Sequence, residues 1–165
     1  MGAVPGRSTR SLDVMVERCT SKEQRGWLNL RGALWPHCKE AEHLTEMEAT
    51  CSTPDRLAAF IAYGESGEAL GFVETAVRTD YVVGTNSSPV GFIEGIYVVE
   101  NFRHQGVARA LVEAAERWAL TRGCRELASD AHLDNLASHA MHRALGFAET
   151  ERVVYFCKTL EERGT

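Results

Sequence analysis

The stretch 92–122 constrains the fold more than any other part of the chain. Residues 92–99 form an apolar run of strand length, 100–105 a short polar turn, and 106–122 a segment of helix length. In that last segment Ala108, Leu111, Ala115 and Trp118 recur at spacings of three and four, which marks one apolar helical face. Glu113 and Arg117 make an i,i+4 pair in the favoured order, and Gly123 is placed to end the helix. An amphipathic helix leaving a strand through a tight turn needs a sheet to cover, so an α/β fold is expected.

The rest of the chain supplies the other strands. Residues 13–19 read as a first strand, and Thr20 or Ser21 is expected to cap a helix running to about Leu34. Pro36 pushes Trp35 out of the helical region and ends it. A second helix follows through the acidic stretch that carries Glu40, Glu42, Glu46 and Glu48. Residues 58–63 and 70–78 flank a Gly-Glu-Ser-Gly turn and predict a hairpin. Residues 80–91 have loop chemistry. Residues 126–130 read as a strand, 135–145 as a helix stopped by Gly146, and 152–158 as a final strand.

Composition narrows the class of function. The 165 residues suit one domain, here 13–165 behind a flexible lead-in, 1–12, that lacks the apolar centre of a signal peptide. No segment reaches the ~18 apolar residues of a membrane span. The net charge of −5 and the absence of a basic run argue against nucleic acid as a partner. Five cysteines without a C-x-x-C pair argue against a disulfide framework and a zinc site. His139 and His142 diverge on their helix and lack further partners, so no metal is expected. A cytoplasmic protein follows from these features. The acidic stretch is either a solvated helix face or a negative rim that gathers a cationic ligand.

The turn Arg103-His104-Gln105-Gly106-Val107-Ala108 opens the long helix. Free N–H groups at a helix start suit a pyrophosphate, Gly106 and Ala108 allow close approach, and Arg103 can add charge. No Walker lysine and no G-x-G-x-x-G are present, which leaves ATP and nicotinamide poorly supported. The R-x-x-G-x-A pattern after an apolar strand resembles the acetyl-CoA-binding motif of the GNAT acetyltransferases. Asn135 and the run Ala144-Leu145-Gly146-Phe147 resemble that family's second motif. The resemblance implies a mixed, mostly antiparallel sheet flanked by helices. It also implies acetyl-CoA as co-substrate.

Within the family the chain is most similar to the aminoglycoside 6′-N-acetyltransferases. Matching stretches include Leu34-Trp35-Pro36, Asp80-Tyr81-Val82, Glu94-Gly95-Ile96, Ala128-Ser129-Asp130 and Glu149-Thr150-Glu151-Arg152. The resemblance implies a small cationic aminoglycoside as acceptor and a homodimer. It places Glu94, Asp130 and Glu151 on the acceptor side, though Glu151 is otherwise a plain surface residue. Trp35 is either core or, with Tyr81, a flat wall for sugar rings in the same cleft. Residues 103–108 would hold the pyrophosphate, with Ile96, Val98 and Asn135 also toward the cofactor.

Individual residues keep more than one reading. Glu94, a carboxylate in an apolar strand expected to share a face with Phe92, Ile96 and Val98, needs a partner. That partner is either a structural ion pair or bulge hydrogen bond, or the acceptor's ammonium, whose proton it would take. Asp130 is either a turn cap or a second group for that proton. Asn135, Ser138 and His142 share one helix face; Ala137, Met141 and Ala144 are expected to lie opposite and pack inward. His142 stands where many of the family have a tyrosine that protonates the departing thiolate, and is either that acid or a cofactor neighbour. Direct attack by the amine is simpler than a route through an acetyl-cysteine, since no cysteine shows an activating signature. Two other readings are a GNAT enzyme for another cationic amine, such as a polyamine or protein N-terminus, and a non-catalytic coenzyme A sensor.

Overall fold

The hairpin predicted after the acidic stretch is the centre of the sheet. In the computed structural model, which describes residues 13–160, β2 (Leu57–Tyr63) and β3 (Ala69–Arg78) pair antiparallel. The edge strand β1 (Met15–Arg18) pairs with β2, and β4 (Val90–Val98) with β3, both antiparallel. The short β5 (Leu127–Ser129) joins β4 in parallel, giving the order β1-β2-β3-β4-β5. The lead-in expected at 1–12 lies outside the described residues. Among the described residues no helix is long and apolar enough to cross a membrane.

Both faces of the central strands are covered, which is why their sequences are nearly continuous apolar runs. Helix α3 (Val107–Thr121) lays Leu111, Val112, Ala115 and Trp118 against Phe60, Ala62, Val73 and Ile93. Helices α1 (Trp27–Leu34) and α2 (Glu40–Ser52) bring Trp27, Leu30 and Met47 onto Ala59, Ile61 and Phe72. Fully burying one such Leu or Phe is worth roughly 1.5–3 kcal/mol. Helix α4 (Leu136–Ala144) buries no residue fully, so Ala137 and Ala144 stay exposed where an inward face was expected.

Three other local expectations are corrected. The first helix begins at Trp27 rather than at residue 20 or 21. The Ser21 hydroxyl and the Glu23 carboxylate bond each other in a local turn, and Gly26, at φ 84°, starts the helix in a conformation a side chain resists. The strand expected at 152–158 is absent: the segment is exposed and joins no ladder. Val153, Val154, Tyr155 and Phe156 are apolar on both faces of any strand, and all four side chains are exposed.

The third correction concerns β4. Thr75 pairs with Ile93 and Glu74 with Gly95, so Glu94 is an extra residue with no opposite number. This bulge resets the alternation of the strand. Ile93 and Ile96, three apart, both lie toward α3. Phe92 instead joins Val82, Val90 and Ala128, and Glu94 enters a cleft beneath α1 and α2. Glu94 therefore does not share a face with Ile96 and Val98, and the bulge is the physical reason.

Candidate active site

On one side of β4 the backbone is left open. Val99 N–H donates to Leu70 C=O (2.9 Å), so by antiparallel alternation Tyr97 and Gly95 bond β3, while Ile96 and Val98 turn away from it. β5 pairs only with Gly91, Phe92 and Ile93. Past the bulge, the outer edge of β4 has no strand partner among the described residues. Arg103 Nε donates to Val98 C=O (3.0 Å), which ties the start of the following turn to this edge.

That turn is shaped by backbone conformation. His104 has φ 60° and Gly106 φ 89°, and Gly106 is the residue from which α3 starts. A Cβ built on Gly106 would meet nothing within 4 Å, so the space in front of the helix entrance is clear. Gln105 Nε2 donates to Asn101 C=O (2.8 Å) and braces the loop. The helical ladder begins with Ala110 N–H donating to Gly106 C=O (3.0 Å). The N–H groups before Ala110 therefore precede the ladder at the positive end of the helix dipole. An open cradle of amides at a helix start fits a pyrophosphate.

Helix α4 lies beyond β5. Asn135 Oδ1 accepts from Ser138 N–H (3.1 Å), so its side chain caps the helix. His142 Nδ1 lies 2.8 Å from Ser138 C=O. A carbonyl only accepts, so Nδ1 carries a proton toward it and Nε2 is the ring nitrogen turned away from the helix backbone. Nε2 is buried without a partner among the described residues. The ring meets Phe147 edge-on at 5.1 Å.

The opposite face of the sheet carries a cleft of about 670 Å³ whose lining includes Arg31, Trp35, Cys38, Glu46, Glu74 and Glu94. Its floor is a buried ion pair. Arg31, 2% exposed, donates from Nη1 to both oxygens of Glu74, which is 8% exposed. Trp27 Nε1 donates to the same carboxylate (2.7 Å), and Arg31 Nη2 pairs with Glu46. Arg31 Nε donates to His43 Nδ1 (3.2 Å). Burial pushes the Glu74 carboxyl up, and Arg31 and then Trp27 oppose that rise.

Arg31 also stands over the Trp35 ring, 4.8 Å from its centroid. The ring in turn lies on the bulge: a Cβ on Gly95 would come within 2.5 Å of Trp35 Cζ2. Glycine at 95 is thus required by the close approach of an indole. Glu94, next along, pairs with Arg78 at the end of β3: Nη2 to Oε1 and Oε2 at 2.9 and 2.8 Å, Nε to Oε1 at 3.1 Å.

The structure brings Trp35 and Glu94 together in the cleft. It does not bring Tyr81, Asp130 or Glu151 into the cleft wall. Tyr81 is 81% exposed in the loop before β4, Asp130 is exposed just past β5, and Glu151 is exposed beyond α4. Sequence reasoning missed Arg31, Glu74, His43 and Arg78. One signal was available: Glu74 interrupts an apolar strand in the same way as Glu94.

These features match a known group of proteins. The profile of the acetyltransferase (GNAT) family matches residues 25–147. An aminoglycoside N(6′)-acetyltransferase type 1 from Acinetobacter genomosp. 13 is 52% identical over 132 residues, 80% of this chain and 89% of that protein. The Serratia marcescens protein of the same name is 47% identical over 146 residues, 88% and 99% of the two chains. Among solved structures, AAC(6′)-Iy in complex with the bisubstrate analog CoA-S-monomethyl-acetylneamine superposes with TM-score 0.84 at 42% identity, covering 90% of this chain and 99% of that one. AAC(6′)-Ih from Acinetobacter baumannii gives 0.83 at 43%, covering 90% and 100%. The chain belongs to the GNAT acetyltransferase family.

Proposed function

We propose that the protein transfers the acetyl group of acetyl-CoA to the 6′-amine of an aminoglycoside and so confers resistance to it. It is an aminoglycoside 6′-N-acetyltransferase, as its relatives are. The observation that carries this reading is the bulge in β4. It opens a backbone edge on one side of the strand and turns a carboxylate into an acidic cleft on the other.

Acetyl-CoA supplies the acyl group as a thioester. The amides of residues 103–108 hold its pyrophosphate, and the edge at Ile96 and the Val98 N–H hydrogen-bond its thioester arm. The cleft lining holds Glu46, Glu74 and Glu94 against Arg31, and with Arg78 on Glu94 one carboxylate is in surplus, which attracts a cation. Trp35 offers a flat wall to a sugar ring. Glu94 or Asp130 takes the ammonium proton, directly or through water, which frees the amine to attack the thioester carbonyl. As the C–N bond forms and the C–S bond breaks, protonated His142 gives the Nε2 proton to the leaving thiolate. Tyr81, Asp130 and Glu151 are assigned to the acceptor side on the family resemblance alone and lie outside the cleft wall.

We also place the enzyme in the cytoplasm as a homodimer. The free cysteines among the described residues suit a reducing compartment. Tyr155 and Phe156, 87% and 93% exposed in one chain, are surfaces for a second copy to cover.

The test is free-thiol release on mixing the protein with acetyl-CoA and kanamycin, with the acetylated nitrogen located by NMR. Thiol release with product acetylated at the 6′-nitrogen is expected. No thiol above background across an aminoglycoside panel would reject the acceptor.

A further inference from the structure

We propose that Arg78 is the chain's own stand-in for the acceptor's ammonium, and that it makes the enzyme select polycationic over singly charged amines. This rests on Glu94 as the ammonium site. Arg78, opposite Val90 at the end of β3, is partly exposed and reaches along the sheet to Phe92. Its guanidinium stacks 3.5 Å from the centre of the Phe92 ring and grips both oxygens of Glu94. A carboxylate beside an aromatic face is a recognition site for an alkyl ammonium. Here one internal cation covers both groups.

The contrast with Arg31 shows that Arg78 is exchangeable. Arg31 is buried and held by Glu74, Glu46 and His43 at once. Arg78 has no hydrogen-bond partner but Glu94 among the described residues, and their side chains are 40% and 37% exposed. Turning Arg78 out to water therefore leaves no buried group unpaired, and an exposed pair of this kind is weak. An ammonium and the guanidinium cannot both saturate Glu94 in this geometry. A monoamine brings one charge against a two-pronged fork. A polyamine brings further charges, which the surplus of carboxylates around the cleft attracts.

The experiment compares wild type, Arg78→Gln and Arg78→Lys with acetyl-CoA and two acceptors, kanamycin and the monoamine 6-amino-6-deoxyglucose. In Arg78→Gln the KM for kanamycin is expected to fall about 1.5- to fivefold, the worth of an exposed charge pair. Turnover of the monoamine is expected to rise, the KM for acetyl-CoA to stay constant, and Arg78→Lys to lie between. A positioning role for Arg78 gives the opposite sign, so a raised kanamycin KM or no change in monoamine turnover would overturn the proposal alone. In the wild type, saturating kanamycin is expected to shift the Arg78 Nε–H resonance toward that of a solvated guanidinium. An unmoved resonance would also overturn it. A wild type inert to every aminoglycoside would remove both this proposal and the acceptor assignment.

Discussion

The cofactor side of β4 recognises through backbone, whereas the acceptor side recognises through charged side chains held by other charged side chains. On the first, the parts are the amides before Ala110, the clear space at Gly106 and the edge at Ile96 and Val98 that no strand covers among the described residues. On the second, Glu74 fixes Arg31, Arg31 covers Trp35, Trp35 rests on Gly95, and Glu94 follows. A backbone site depends on conformation and tolerates many side chains. A side-chain site depends on each partner, and losing one strands the rest in a poorly solvated place.

The difference is sharpest for the buried pair. Arg31→Met leaves the Glu74 carboxylate without its counter-charge and should cost about 3–5 kcal/mol of stability. Urea unfolding would measure it, and Arg31→Met with Glu74→Leu should recover most of the loss. A single variant as stable as wild type would show that the pair does not hold α1 to the sheet. Less severe is Gly95→Ala, whose methyl strikes the Trp35 ring; overpacking of this kind costs about 1–3 kcal/mol. Its kinetic effect should fall on the aminoglycoside KM. Gly106→Ala meets no atom, yet its φ of 89° disfavours a side chain by about 1–2 kcal/mol. Its effect should appear in the KM for acetyl-CoA, so the two alanines dissect the two sides. Equal changes in both constants for both variants would break the division.

The smallest expected effect is a pH dependence at the start of α2, beside the cleft. Glu42, in the first turn of α2, accepts from Lys39 N–H and from the Cys38 thiol, and these bonds hold its carboxyl below the ordinary glutamate value. A depressed folded value stabilises above the unfolded pKa, and the contribution is lost as pH falls through the folded one. Glu42→Gln should therefore lower stability slightly at neutral pH and converge with wild type in acid, which flattens the acid limb. Unfolding curves between pH 7 and 3 would check the sign.

The same contrast explains what the sequence made legible. The turn at 103–108 could be read because a glycine followed by a small residue at a helix start reports backbone requirements locally. Glu94 could be suspected because a carboxylate in an apolar strand is costly. Its direction could not, since the bulge exists only in the register with β3. Arg31 was hidden because an arginine on a short helix reads as solvent-facing, and its partner is 43 residues away. The segment after Arg152 has a strand's composition but pairs with no strand among the described residues.

Glu94→Gln puts the separation of the two sides to the most direct trial. Calorimetry with coenzyme A should give the wild-type affinity, while kcat/KM for kanamycin falls about 10²-fold or more, as loss of a group that handles the proton requires. A coenzyme A affinity that drops in step with turnover would mean that the carboxylate and the amide cradle are not independent.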